Sequence, residues 1–207
     1  MSASNPNARL EAFCDGVFAI SITLLVIDIK IPSTTEISST SEFWHALKHI
    51  SPSIYAFLLS FTIILITWVN HHHTIKLLDK SSTSFIYANG LLLLTVAFVP
   101  FPTSLLGEYI LTPHASPAVV LYNTVLAIQA VGWIALLGSA SKHKLCSSEN
   151  SIQIINKNRK FGYFAFALYS LLAVVAIWLP LAAAIITTFT WIFWLILGNN
   201  MKNEELA

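Results

Sequence analysis

The residues with chemistry to offer gather at two places in the sequence. Arg9, Cys14 and Asp15 open one apolar run; Trp68, Asn70, His71, His72 and His73 close another, in the string WVNHHHTIK. Three consecutive histidines raise a metal or haem site first. Helical ligand pairs stand three or four residues apart on one face, whereas adjacent helical residues diverge by about 100°. No carboxylate or cysteine follows at ligand spacing, so no metal or cofactor is expected, and hydrogen-bonding or interfacial histidines are the better reading. A nucleophile elbow, a phosphate loop and a paired-acid motif are all missing, so nothing here points to an enzyme. Cys14 and Cys146 fall in an apolar helix and a polar loop and are expected to be free thiols.

The elements that must position these residues are membrane helices. Of 207 residues, 56% are hydrophobic and only 10% charged, whereas soluble domains carry about a quarter charged residues. A net charge of +1 gives no basic footprint for nucleic acid. Five apolar blocks stand out: Ala12–Ile31, Ile54–Val69, Phe85–Leu106 with Pro100 and Pro102, Ala118–Leu137, and a charge-free stretch from Phe161 to Leu197. As one helix the last would be about 55 Å long against a hydrocarbon core of about 30 Å. Pro180 divides it into two spans. The expected fold is therefore an all-α membrane protein, residues 1–207 forming a single domain of six transmembrane helices.

Loop charges orient the spans. With the N-terminus in the cytoplasm, Arg9, Lys76, Lys80, Lys142, Lys144, Lys157, Arg159, Lys160 and Lys202 fall inside, and only Lys30 and Lys48 outside. That is the asymmetry of the positive-inside rule, and six spans place both termini in the cytoplasm. No signal-peptide cleavage site follows the polar N-terminus, so the first run is expected to be a retained span. SEFWHALKHI reads as a short interfacial amphipathic helix. Lys142–Lys160 reads as a cytoplasmic linker between a four-helix and a two-helix part.

Within the first helix, Gly16, Ile20, Thr23 and Ile27 fall within about 60° of one another at 100° per residue, and Arg9, Ala12 and Phe13 extend the sector. A lipid-facing surface would be plainly apolar; this one mixes a small residue, a hydroxyl and a cation. Close helix packing accounts for Gly16, Ala19 and Thr23, and Arg9 can snorkel to the interface. Asp15 is deeper and shorter. Six residues from Arg9, it is too far round the helix to pair with it. It needs a partner on another helix or subunit, and the second span returns Trp68, Asn70 and the histidines at about that depth.

RLEAFCD resembles the R-x-x-x-F-S-D signature that opens the first helix in the transmembrane protein 175 family, the endosomal and lysosomal potassium channels and their prokaryotic relatives. Arg9, Phe13 and Asp15 match, and Cys14 stands where serine is usual. The WVNHHH ending and six-span layout fit as well, in the single-set prokaryotic form. The resemblance implies a potassium-permeable homotetramer in the plasma or inner membrane, crossing it several times, with the first helices lining a central pore. It implies an apolar constriction or gate at Ile20 and Ile27, and a hydroxyl ring at Thr23. The T-V-G-Y-G carbonyl filter of other potassium channels is absent from the sequence. The competing readings are a secondary transporter with a helix broken at Pro100–Pro102, and a membrane metal or haem protein built on His71–His73.

Overall fold

The computed structural model describes residues 7–30, 32–33 and 37–205, with side chains as far as Ile196. Its described residues form helices: α1 (Ala8–Leu24), α2 (Thr40–His49), α3 (Ser51–Lys76), α4 (Thr83–Phe98), α5 (Pro100–Tyr109), α6 (Ala115–Lys142), α7 (Glu149–Val175) and α8 (Pro180–Glu205). Three spans are long and apolar enough to cross a membrane: α3, α4 with α5 taken together, and α6. Pro180–Ile196 is a shorter apolar helix.

Local chemistry sets the boundaries. Ser39 Oγ accepts from the Glu42 amide while Glu42 Oε2 accepts from the Ser38 amide, a reciprocal cap that starts α2. Ser82 Oγ accepts from the Phe85 amide and starts α4. Pro52, Pro100 and Pro180 stand in the first turns of α3, α5 and α8, where the missing N–H is harmless. At Pro100 the same absence costs the Val96 carbonyl its usual donor, and the Val99 amide reaches back to both Thr95 O and Val96 O. The third span is jointed there, as its two prolines suggest.

Two boundaries differ from the sequence reading. The first helix ends at Leu24, not Ile31, and the chain continues in tight turns, the Ile27 amide bonding Leu24 O at 3.1 Å and the Ile29 amide Val26 O at 3.2 Å. Ile27 therefore lies beyond α1, in i→i+3 geometry rather than on a continued 100° spiral. The Lys142–Lys160 stretch is mostly helix, because α7 already begins at Glu149. Ile154 and Ile155 bury against the bundle there, so a polar-looking segment has an inward apolar face. Nor does the bundle divide into four helices and two: one core joins Leu59 and Ile63 of α3, Leu106 of α5, Tyr122 and Leu126 of α6, Leu172 of α7 and Ala183 of α8.

A second core seats α1. Cys14, Phe18, Ser21 and Leu25 are buried along one side, spaced four, three and four residues apart, the repeat of a helical stripe. Cys14, Phe18 and Leu25 pack with Ile64 of α3, Leu93 and Val96 of α4, and Val125 of α6. At the helix start, Asn7 Nδ2 donates to Leu78 O just past α3, at 3.2 Å.

Candidate functional site

The polar residues near the start of α1 meet the end of α3 in a connected network. Trp68 Nε1 donates to Asp15 Oδ1 at 2.8 Å. His72 Nδ1 lies 2.9 Å from Glu11 Oε1, and its ring stacks on Trp68 at 5.9 Å between centroids. His73 meets His72 edge-on at 6.0 Å. Deeper, Asn89 of α4 links the two helices: its Nδ2 donates to Cys14 Sγ at 3.0 Å, and its Oδ1 lies 2.7 Å from His71 Nε2. With the Asn89 nitrogen committed to sulfur, its oxygen must accept, so His71 carries its proton on Nε2. Phe18 and Trp133 enclose the His71 ring at 5.4 and 6.4 Å.

Asp15 thus finds its partner on the antiparallel neighbour, as its depth requires. Of the residues expected to hold it, Trp68 does so directly. His71 braces α1 through Asn89 and Cys14, and His72 stands close to Glu11 with its Nδ1 outside hydrogen-bonding geometry. Asn70 does not join: its Oδ1 is buried without a hydrogen-bond partner, and the residue lies beside a cavity on another side of α3. Two members escaped the sequence reading. Glu11 sits four residues before Asp15, and Asn89 is a lone amide inside an apolar block, the kind of residue that marks a partner in a membrane helix. Among the described residues no cluster of three or more His, Cys, Asp or Glu side chains could hold a metal ion.

The other side of α1 is bare. Arg9, Ala12, Phe13, Gly16, Ala19, Ile20, Thr23 and, past the helix end, Ile27 are all exposed on the single chain, Ile20 to 61%. A Cβ added to Gly16 would meet nothing within 4 Å. The Thr23 hydroxyl points its hydrogen at the backbone, with Ile20 O at 2.9 Å and Ala19 O at 3.1 Å. Its oxygen keeps its capacity to accept.

These features define a class: a helical membrane protein whose N-terminal helix is pinned to the bundle by a polar network on one side and left open on the other. Residues 9–100 match the family model described as endosomal/lysosomal potassium channel TMEM175. A potassium channel of Chamaesiphon minutus is 39% identical over 182 residues, covering 86% of this chain and 89% of that one. The endosomal/lysosomal proton channel TMEM175 of Gallus gallus is 26% identical over 177 residues, which are 83% of this chain but 35% of that longer protein. The crystal structure of a lysosomal potassium-selective channel TMEM175 homolog from Chamaesiphon minutus superposes with a TM-score of 0.81 at 35% identity, over 93% of this chain and 98% of that one. The chain belongs to the TMEM175 family.

Proposed function

We propose that this chain is the subunit of a potassium-permeable cation channel of the cell membrane. It crosses the bilayer six times with both termini in the cytoplasm, and four copies surround a pore lined by α1. One observation carries this reading: the uncovered side of α1 holds Arg9, Gly16 and Thr23 among its apolar residues, a mixture unsuited to lipid and suited to a water-filled path. The potassium channel relatives that match along most of the chain support the permeant ion.

The mechanism follows from two positions about 4.5 Å apart along the axis. A ring of Ile20 side chains closes the path by excluding water. Beside it, a ring of Thr23 oxygens replaces part of an ion's hydration shell, the hydroxyl hydrogen being occupied by the backbone. Potassium sheds water more readily than sodium, so four hydroxyls favour it modestly, with fewer ligands than stacked carbonyl rings supply. Glu11, Asp15, Trp68, His71, His72 and Asn89 hold α1 at the right radius and take no part in conduction.

A second reading, the secondary transporter, draws on the joint between α4 and α5 at Pro100. Reconstitution into liposomes with a potassium gradient separates the two. The channel gives unitary currents that scale with driving force; saturating flux at carrier turnover would overturn it.

A further inference from the structure

Positive charge collects at the end of the bundle where α6 is joined to α7. Between residues 142 and 160 the chain has five cations, Lys142, Lys144, Lys157, Arg159 and Lys160, and one acid, Glu149. Glu149 begins α7, about 15 Å along the axis from Arg159. Asp79, which the end of α3 brings to this region, is occupied by the Ser147 amide. Among the described residues no carboxylate forms an ion pair with Lys142, Arg159 or Lys160.

The depth of these cations matches a phospholipid phosphate. The charge-free stretch starts at Phe161, directly after Lys160, and the apolar block of α6 ends at Leu137, shortly before Lys142. The helices also bring the cations to one seam. A Cβ added to Gly138 would meet Arg159 Cδ at 4.0 Å, so the arginine stem lies against α6 there. Lys142 stands one turn further along the same face of α6. Ser141 Oγ donates to Asn156 Oδ1 at 3.3 Å across the same seam. Arg159 is partly buried, while Lys142 and Lys160 are exposed. A guanidinium binds phosphate through two parallel N–H bonds, and a neighbouring ammonium adds attraction as a point charge. Tyr163 and Phe166 follow Arg159 by four and seven residues, on the same side of α7, and both are exposed. They form an apolar track for an acyl chain, with the tyrosine suited to the interface. A soluble anion uses the cations and leaves that track bare; a lipid uses both.

We propose that the seam of α6 and α7 binds an anionic glycerophospholipid, its phosphate at Arg159 and Lys142 and one chain along Tyr163 and Phe166. This rests on the six-span reading above, but not on a pore along α1. The test titrates the full-length protein in neutral detergent with dioleoylphosphatidylglycerol or dioleoylphosphatidylcholine and counts bound lipid by native mass spectrometry. The second lipid has the same chains and phosphate but a cationic headgroup. The anionic lipid binds at least tenfold more tightly. Arg159→Gln and Lys142→Gln each weaken it at least fivefold and leave the zwitterionic lipid unaffected. Lys76→Gln, an equal loss of charge at the end of α3, changes it less than twofold. Glycerol 1-phosphate, which carries the phosphate without chains, does not displace the lipid at hundredfold excess. Where one variant fails to fold, the other decides. Equal affinity for the two lipids, undiminished affinity in a folded Arg159→Gln or Lys142→Gln, an equal loss in Lys76→Gln, or displacement by glycerol 1-phosphate would overturn the proposal. Unitary currents from the same preparation test the channel reading separately, so either can fail alone.

Discussion

In the proposed pore Thr23 and Ile20 divide the work between an oxygen and a hydrocarbon, and substitution separates the two. Thr23→Ser keeps the oxygen and its backbone bond, so potassium preference over sodium is largely retained; Thr23→Ala lowers that preference while closure persists. Ile20→Asn wets the constriction and raises open probability. Bi-ionic reversal potentials and single-channel open times read both outcomes, and unchanged values in Thr23→Ala and Ile20→Asn together would place the pore on another surface. The pinning side gives a different forecast. A hydrogen bond to a charged group contributes about 1.5–3 kcal/mol, so Trp68→Phe, which keeps an aromatic ring and loses the donor to Asp15, lowers stability by about that much. A double-mutant cycle with Asp15→Ala isolates the pair. That Asp15 required a partner on the antiparallel span was legible from its depth and short side chain. Asn89 was not, because nothing in the spacing of α4 ties it to Cys14 seventy-five residues away, and adjacent histidines do not say which of them turns inward.

Helices here meet at distances that single atoms decide. A Cβ on Gly107 would lie 2.8 Å from Ser53 Cα, so α5 and α3 approach closely through that glycine. Gly107→Ala gains about 1 kcal/mol of helix propensity and loses about 1–3 kcal/mol to overpacking. The expected net is a lower melting temperature, whereas Gly90→Ala, with open space around its Cβ, is neutral or stabilising. The connection between α6 and α7 is closed by Asp79, to which the Ser147 amide donates at 2.6 Å. Hydrogen bonds from the Ser147 hydroxyl and amide hold the Asp79 carboxyl below its ordinary value of 3.8, and burial, with the Asp79 charge behind it, pushes the Cys146 thiol up. A depressed carboxylate stabilises above its unfolded value and ceases to do so as pH falls through the lower folded one. Pepsin cleavage at residues 143–147 should therefore rise only well below about pH 4. At neutral pH, Asp79→Ala should speed iodoacetamide labelling of Cys146, followed by peptide mass; unchanged labelling would show that Asp79 does not hold the loop. The proline joints at Pro100 and Pro180 were plain in the sequence, since a missing N–H acts locally. The early end of α1 and the helical start of α7 were not, because turn geometry and tertiary burial of Ile154 and Ile155 override composition.

The chain as a whole covers one side of its first helix and leaves the other to something outside itself. Gly16 tests what that is. If neighbouring copies and a pore face it, Gly16→Leu disrupts the assembly or blocks conduction, cutting potassium flux at least tenfold while helix content is unchanged. A lipid-facing α1 would absorb the leucine without effect on native mass or flux. The apolar blocks, the division of the last at Pro180 and the mixed character of α1 were legible in composition. The extent of contact among α3, α6, α7 and α8 was not, because an apolar helix surface does not declare which neighbour it meets. The bare side of α1 also has a consequence for inheritance. In the proposed fourfold ring every substitution there is presented four times around one axis. A cell making equal amounts of altered and original chain, mixed at random, would build only about one ring in sixteen entirely from the original. Changes at Ile20 or Thr23 should then act dominantly. Changes confined to a single subunit's interior, such as Gly107→Ala, deplete their own chain and should be recessive.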